Sequence, residues 1–589
     1  MTSDVHPAPT IPPSTRHPYR IHRRPGGKPW IAEVSAAGHA LLQDPVLNKG
    51  TAFSAEERRR FGLRGVVPPR QASVAEQLAR VAENYRRKRT DIERYLHLVA
   101  LQDRNETLFY RFALEHLEEV LPILYTPTVG KACQEYSHVY RRPRGLYVTP
   151  EDAKDIGRLD ELLESSGLQE AALLVVTDGE RVLGTGDQGA GGIGISIGKL
   201  TLYTLGAGIH PTLTLPVVLD VGTENERLLG DPLYLGRRER RLRGEPYFEL
   251  LDAFVDAVGR RWPRAIVQWE DFAKRNAFTV LDRYRDRIPS FNDDILGTGA
   301  VVLAALRNAF ELARVPMATG RILFLGAGEA CLGSARAILA AKLEAGASED
   351  EARAQMALLD ATGLVHAGRP DLEPFKRDFA LSAERAAAWP ADTRDRLLRT
   401  SIEHFEPHAL IGATGVPNAF DEESVRAFAR VAERPIVFAL SNPSALSEAR
   451  PEDLARWTRG RAILATGSPF APVRLENHRI PVAQANNMLI FPGVGMGAWI
   501  SHAERITDSM FAAAARACAG CVAPDELAAG TILPTVGEIR RVSRAVALAV
   551  AEEAVRAGVA TRRSRAQLEE RLDLEVWEPQ YMELVRADE

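Results

Sequence analysis

Apolar residues recur every three to four positions along residues 73–124. Phe109, Phe112, Ala113, Leu117, Val120, Leu121 and Leu124 share one stripe, which predicts helix with a single buried face. Pro122 is placed to kink the last turn, and Pro127 to end the helix near Tyr125. From about residue 171 the period changes. Short apolar runs at 171–176, 215–221 and 265–269 end in turn-forming or acidic residues and read as buried strands. Helical stretches at 197–205 and 247–258 separate them. Strands alternating with helices predict a parallel sheet covered on both faces. A second α/β series has strands at 321–325, 355–360, 409–413, 435–440 and 461–465. Beyond Phe491 the pattern is helical again, through residue 517 and over 536–555. No fixed-period repeat is present, which argues against a solenoid.

The chain has 589 residues, enough for two or more domains, with 45% hydrophobic and 26% charged residues. Its 74 basic and 78 acidic side chains leave a formal net charge of -4, so no global pull toward nucleic acid or an anionic membrane is expected. No run of about 18 apolar residues is evident, and no membrane span is expected. Four cysteines are too few to staple such a chain, which points to a reducing, cytoplasmic compartment. Cys518 and Cys521 form a CxxC without a second CxxC or a histidine set, and read as ordinary thiols. The proline- and arginine-rich start lacks the apolar core of a secretory signal. It reads as a mobile leader, with an organelle transit peptide as the weaker alternative.

Residues 321–325 run directly into Gly326-Ala-Gly328-Glu-Ala-Cys-Leu-Gly333, and a helical stretch follows. This is strand, glycine turn, helix. Gly326 permits the tight turn, Gly328 lets backbone approach a pyrophosphate, and the helix N-terminus offers N–H groups to that anion. The next strand ends in Asp360, whose carboxylate could meet a ribose, at an offset longer than the usual ~20 residues. A glycine-rich turn without ligand is the alternative. Gly184-Thr-Gly186-Asp-Gln-Gly189 fits the glycine pattern better by letter. It follows a charged turn rather than a strand, however, and reads as a close-approach loop beside a ligand.

Two pairs of acids follow apolar runs: Glu270-Asp271, and Asp293-Asp294 after Asn292. On spacing alone, solvated charges and a hard-cation site for Mg²⁺ or Mn²⁺ are equally open. His404 and His408 offer no rival, since Pro407 interrupts them and Phe405 stands where a zinc protease needs glutamate. Lys199 lies in an apolar stretch after many glycines, where partial desolvation would lower its pKa and suit it as a base. Tyr125, at a helix-to-turn junction, reads by itself as an ordinary core tyrosine. Arg181 reads as a surface charge or as a two-pronged carboxylate grip.

Taken together these segments resemble the malic enzyme family. They are Tyr125-Thr-Pro-Thr-Val-Gly, Val176-Thr-Asp-Gly-Glu-Arg181, Gly198-Lys-Leu-Thr-Leu-Tyr203, Trp269-Glu-Asp-Phe272, Phe291-Asn-Asp-Asp-Ile-Leu-Gly-Thr298, Gly326-Ala-Gly-Glu-Ala330, Leu440-Ser-Asn-Pro-Ser444 and Asn486-Asn487 before Phe491-Pro492-Gly493. They occur in the family's order across most of the chain. The resemblance implies oxidative decarboxylation of malate to pyruvate with NAD, and oxaloacetate decarboxylation as a side activity. It implies Glu270, Asp271 and Asp294 as ligands of Mg²⁺ or Mn²⁺, Lys199 as general base, Tyr125 as general acid and Asp293 as the group positioning Lys199. Arg181, Asn442, Asn486 and Asn487 would hold malate. The cofactor would meet Arg181, Asp294, Gly326, Gly328, Glu329, Ala330, Asp360 and Asn442.

The same resemblance implies an α/β fold with a helical N-terminal region, a central parallel-sheet domain and an inserted Rossmann-like domain. The expected bounds are a leader at 1–35, helical region at 36–143, central domain at 144–292 and 487–558, cofactor domain at 293–486 and a C-terminal extension at 559–589. A homodimer or homotetramer is expected. Departures are Cys331, where alanine is common, and Ala361 after Asp360. Lys376 and Arg377 could meet a 2′-phosphate, but Asp360 would repel one, which favours NAD over the alternative, NADP. Arg80 and Arg104 align with effector-binding arginines of some relatives. Two rivals differ in class: a metal-independent two-domain oxidoreductase such as an amino-acid dehydrogenase, and a non-enzymatic dinucleotide-binding scaffold.

Overall fold

The computed structural model describes residues 10–11, 19–182, 184–389, 397–476 and 478–587. The chain opens with three strands, β1 (Thr10–Ile11), β2 (Tyr19–His22) and β3 (Ile31–Val34). The helical stretch at 73–124 is four helices, Val74–Arg86, Asp91–Gln102, Glu106–Glu115 and Leu117–Leu124. Their starts are written in polar residues. Ser73 and Thr90 accept from the backbone N–H of Glu76 and Glu93, whose side chains reach back, while Asn105 accepts from Leu108. Pro122 sits inside the last helix, which stops at Tyr125 as the backbone turns extended.

The central sheet has five strands: β4 (Leu146–Val148), β5 (Leu173–Thr177), β6 (Thr214–Leu219), β7 (Ile266–Trp269) and β8 (Ser290–Asn292). They pair in parallel in the order β4-β6-β5-β7-β8. The acids Asp178, Glu270-Asp271 and Asp293-Asp294 thus fall at the carboxyl ends of neighbouring strands. Helices Ile193–Ala207, Phe491–Ser501 and Ile539–Arg556 pack together beside this sheet. In the first of these every residue but Ile197 is buried, and in the second all are. A helix apolar on all sides has no solvent face, so it carries Lys199 into the interior.

The second sheet holds β9 (Ile322–Leu325), β10 (Met356–Asp360), β11 (Gly363–Leu364), β12 (Ala409–Gly412), β13 (Ile436–Ala439) and β14 (Ile463–Thr466). After the hairpin β15 (Val473–Leu475) and β16 (His478–Ile480) it closes with β17 (Val482–Gln484). The order is β11-β10-β9-β12-β13-β14-β17, parallel except for the edge strand β11. Alternate residues feed two cores. Ile322, Phe324, Ile411 and Phe438 join the main core, while Leu323, Leu410 and Val437 join a separate one. Such two-sided burial is why these strands read as unbroken apolar runs.

The termini correct the expected organisation. The expected leader is ordered from Tyr19 onward, with Tyr19, Ile21, Trp30, Ala32 and Val34 buried; its residues 1–9 and 12–18 lie outside the described residues. The reason is long-range pairing. The last strand, β18 (Glu583–Arg586), lies parallel to β3, so the two ends of the chain share one sheet. Among the described residues one helical stretch, 293–313, is long and apolar enough by length and composition alone to cross a membrane. It is a core helix, with 78% of its most apolar window buried inside the protein.

Candidate active site

Three carboxylates converge where β7 and β8 end. Among the described residues, Glu270, Asp271 and Asp294 each offer one oxygen such that all three lie within 4.8 Å of one another. Asp271 holds a positive φ of 55°, a left-handed conformation that few side chains adopt. This kink turns its N–H onto Asp294 Oδ2 at 2.9 Å and its carbonyl onto the Arg181 N–H at 3.1 Å. After β8, Asn292 Oδ1 caps Ile295, and a wide turn, Asp293–Gly297, leads into the helix Thr298–Ala313. That π-type turn sets the two neighbouring aspartates to different tasks.

Lys199 is fully buried. Its Nζ contacts Asp293 Oδ2 and lies 2.9 Å from Glu270 Oε1. It also sits over the Phe491 ring at 4.5 Å and the Tyr125 ring at 5.6 Å. The expected lowering of its pKa is reversed. Burial opposes the ammonium, but Asp293, Glu270, Tyr125 and Asp294 together hold it well above the ordinary value. Asp293 Oδ2 also accepts from Asn487 Nδ2 at 2.6 Å. Gly297 must be glycine, since a Cβ there would fall 1.8 Å from Asp293 Oδ1. Burial, then mutual repulsion, raises Glu270 and Asp271 above the usual carboxylate range. Buried acids crowded in this way, oxygen donors throughout, fit a hard divalent cation. Burial also raises the Tyr125 phenol far enough to keep its proton at neutral pH.

Beside this cluster, between β9 and β12, the order of strands reverses, the place where open α/β sheets bind ligands. Gly326 has φ 114°, and a Cβ there would meet the Ala413 carbonyl oxygen at 2.7 Å. Nothing lies within 4 Å of a Cβ built on Gly328, so the space above that backbone is open. Gly333 lets helices pack, its Cβ position being 2.0 Å from the Ile295 carbonyl oxygen. Glu329 and Ala330 form the first turn of Glu329–Glu344. This combination of tight turn, open approach and close helix packing is that of a dinucleotide site.

Family models match both halves of the chain: one described as "Malic enzyme, N-terminal domain" over residues 102–285, and one as "Malic enzyme, NAD binding domain" over residues 295–555. The NAD-dependent malic enzyme of Sodalis glossinidius is 46% identical over 554 residues, covering 94% of this chain and 98% of that protein.

The chain belongs to the malic enzyme family.

The NAD-dependent malic enzyme of Aeromonas hydrophila is 45% identical over 548 residues, covering 93% of this chain and 96% of that protein. Among solved structures, the malic enzyme of Entamoeba histolytica matches with a TM-score of 0.54 at 22% identity, covering 87% of this chain and 90% of that one. The malic enzyme of Pyrococcus horikoshii matches at 0.51 and 25% identity, covering 78% and 89%. The α/β fold with a Rossmann-type cofactor domain is that of the malic enzyme family.

The remaining expected residues are placed unevenly around the carboxylate cluster. Arg181 spans to the cofactor domain and pairs with Glu329 at 3.0 Å. Asn442 Oδ1 accepts from Ser468 Oγ at 2.6 Å. Asn486 Oδ1 caps Met488, so that oxygen serves the turn, while its neighbour Asn487 reaches Asp293. Asp360 already has four protein donors: Arg369 at 2.8 Å, Lys376 at 2.5 Å, and the N–H and hydroxyl of Thr362. Against partial burial, those bonds hold its carboxyl well below the usual range. Lys376 is buried against it and Arg377 is exposed. Arg80 and Arg104 are exposed on the helical region. The loop Gly184–Gly189 crosses the site's rim, where a Cβ on Gly184 would meet Pro443 Cδ at 2.8 Å. His408 accepts from the Arg321 N–H and His404 packs on Trp389, both structural roles.

Sequence reading missed Gln268, Tyr203 and Glu448. Gln268 Nε2 donates to Glu270 Oε2 at 2.7 Å, and Tyr203 donates to Gln268. The signal for Gln268 was its spacing, two residues before Glu270 on one strand and so on the same face. Buried Glu448 accepts from the Thr414 and Ser441 N–H groups and hydroxyls, tying together the loops after β12 and β13. Nothing local in the sequence marks that role.

Proposed function

We propose that this chain converts (S)-malate to pyruvate and carbon dioxide while reducing NAD, with Mg²⁺ or Mn²⁺ held by Glu270, Asp271 and Asp294. The observation that carries this is the convergence of those three carboxylates beside the Lys199–Asp293 pair. When bound, the cation would polarise the C2 oxygen of the substrate, and the nicotinamide would take the hydride from C2. Lys199 would take the proton of the C2 hydroxyl as its own ammonium passed one to the Asp293 carboxylate that it contacts. The paired carboxylates of Asp293 and Glu270 set how readily it does so. After the β-carboxylate is lost, Tyr125, whose ring lies 5.6 Å from Lys199 Nζ, would deliver a proton to C3. Asp293, fixed by Asn487, would aim the Lys199 amine. Arg181 would grip a substrate carboxylate in place of Glu329, and Asn442 would orient substrate and nicotinamide.

NAD rather than NADP is supported by the names of the relatives. Four free, buried cysteines support a reducing cytoplasm. The test is absorbance at the NADH band with malate, each dinucleotide and each metal. Malate-dependent reduction of NAD, abolished by EDTA and restored by Mg²⁺ or Mn²⁺, is expected. Turnover indifferent to EDTA would point to a metal-independent dehydrogenase. NADH binding without malate turnover would point to a scaffold.

A further inference from the structure

We propose that Tyr203 and Gln268 form a positioning relay for Glu270: the tyrosine fixes which way the Gln268 amide faces, and the amide fixes the Glu270 carboxylate toward Asp271 and Asp294. The inference rests on the cation site proposed above and deepens it.

The relay has a direction imposed by chemistry. Gln268 and Glu270 share one face of the strand end, and Gln268 Nε2 lies 2.7 Å from Glu270 Oε2. A carboxylate only accepts, so the amide must turn its NH₂ group toward it. Its carbonyl then faces Tyr203, whose hydroxyl must donate. A flipped amide would set its carbonyl against the Glu270 carboxylate, two acceptors facing each other. Gln268 and Tyr203 are both fully buried, so their hydrogen bonds are made within the protein.

Tyr203 is itself well held. It packs on Phe491 with ring centroids 4.9 Å apart, and Gly495 leaves it room, since a Cβ there would meet Tyr203 Cε1 at 2.6 Å. It stands one helical turn after Lys199, on the same face of the Ile193–Ala207 helix. That one helix therefore controls both oxygens of Glu270. Lys199 reaches Oε1 directly at 2.9 Å, and Tyr203 reaches Oε2 through Gln268. Each oxygen keeps acceptor capacity for a cation. Partners that orient a metal ligand in this way typically change affinity about 10–100-fold when removed.

The experiment is Mn²⁺ binding to the purified full chain, without malate or dinucleotide, with free Mn²⁺ counted by electron paramagnetic resonance. Gln268→Leu is expected to weaken binding about 10–100-fold, and Tyr203→Phe to weaken it in the same direction by a smaller factor. Both are measured well below their melting temperatures, so that a loss of stability alone leaves the dissociation constant unmoved. Dissociation constants within about twofold of the parent for both variants would overturn the relay. So would a loss in Gln268→Leu that Tyr203→Phe does not share. Should Gln268→Leu fail to fold, Tyr203→Phe decides the matter alone. If the parent chain itself binds no Mn²⁺, it is the cation site that fails.

Discussion

Replacing Lys199 by alanine should remove malate oxidation and weaken the fold for the same structural reason. The ammonium lies fully buried, 2.9 Å from Glu270 and in contact with Asp293. At that distance one ion pair is worth about 6 kcal/mol at an effective dielectric constant of ~20. Desolvation of the partners offsets much of this. Removing one member of a buried pair nevertheless costs about 3–5 kcal/mol, because the orphaned charges stay behind. Against a total of about 5–15 kcal/mol, the variant should still fold at 25 °C. Urea denaturation of the EDTA-treated protein would read the loss. The deficit should shrink as pH falls, beginning above the usual carboxylate range, because burial raises Glu270 and Asp293 and they take up protons instead. Loss of a general base should slow malate oxidation about 10²–10⁴-fold, followed as NADH absorbance. Decarboxylation of added oxaloacetate, which needs no C2 deprotonation, should suffer less. Tyr125→Phe should show the opposite pattern, slowing protonation of enolpyruvate more than hydride transfer. Near-normal malate turnover in folded Lys199→Ala would refute its role as base. An unchanged urea midpoint would refute the charge argument.

Two glycines of one loop should answer differently to a single methyl group. Gly328→Ala places its Cβ in open space with an ordinary φ, so stability should change by less than about 0.5 kcal/mol. Its KM for NAD should rise about tenfold if a pyrophosphate approaches that backbone. Gly333→Ala drives its Cβ against the Ile295 carbonyl oxygen and should destabilise by about 1–3 kcal/mol. An unchanged KM in the first variant, or equal melting temperatures in the two, would contradict this reading. Away from the site, burial and then Arg571, Arg264 and Arg563 hold His502 down to about 4, against an ordinary value of 6.5. The unfolded chain then takes up this proton first, so stability is lost as pH falls from 6.5 toward 4. His502→Asn, which tolerates the positive φ of 56°, should flatten that limb of a plot of Tm against pH; a slope equal to the parent's would rule the histidine out.

Local pattern was enough to determine the elements and the kinds of chemistry on offer. The strand-to-glycine step at Gly326, the acids behind β7 and β8, and the end of a helix at Tyr125 were all legible, because each depends on residues adjacent in the chain. Contacts between distant residues were not. The pairing of β3 with β18 joins positions more than five hundred residues apart, and no local periodicity encodes a partner strand. Spacing alone did not say that Asp293 would face Lys199 while its neighbour Asp294 faces Asp271; only the family resemblance implied that division, and the wide turn at Asp293–Gly297 makes it. The direction of the Lys199 pKa was misread for the same reason. Burial can be read from an apolar stretch of sequence, but the carboxylates that outweigh it arrive from two other strands. Electrostatic energy depends on distance in space, and tertiary structure alone sets that distance.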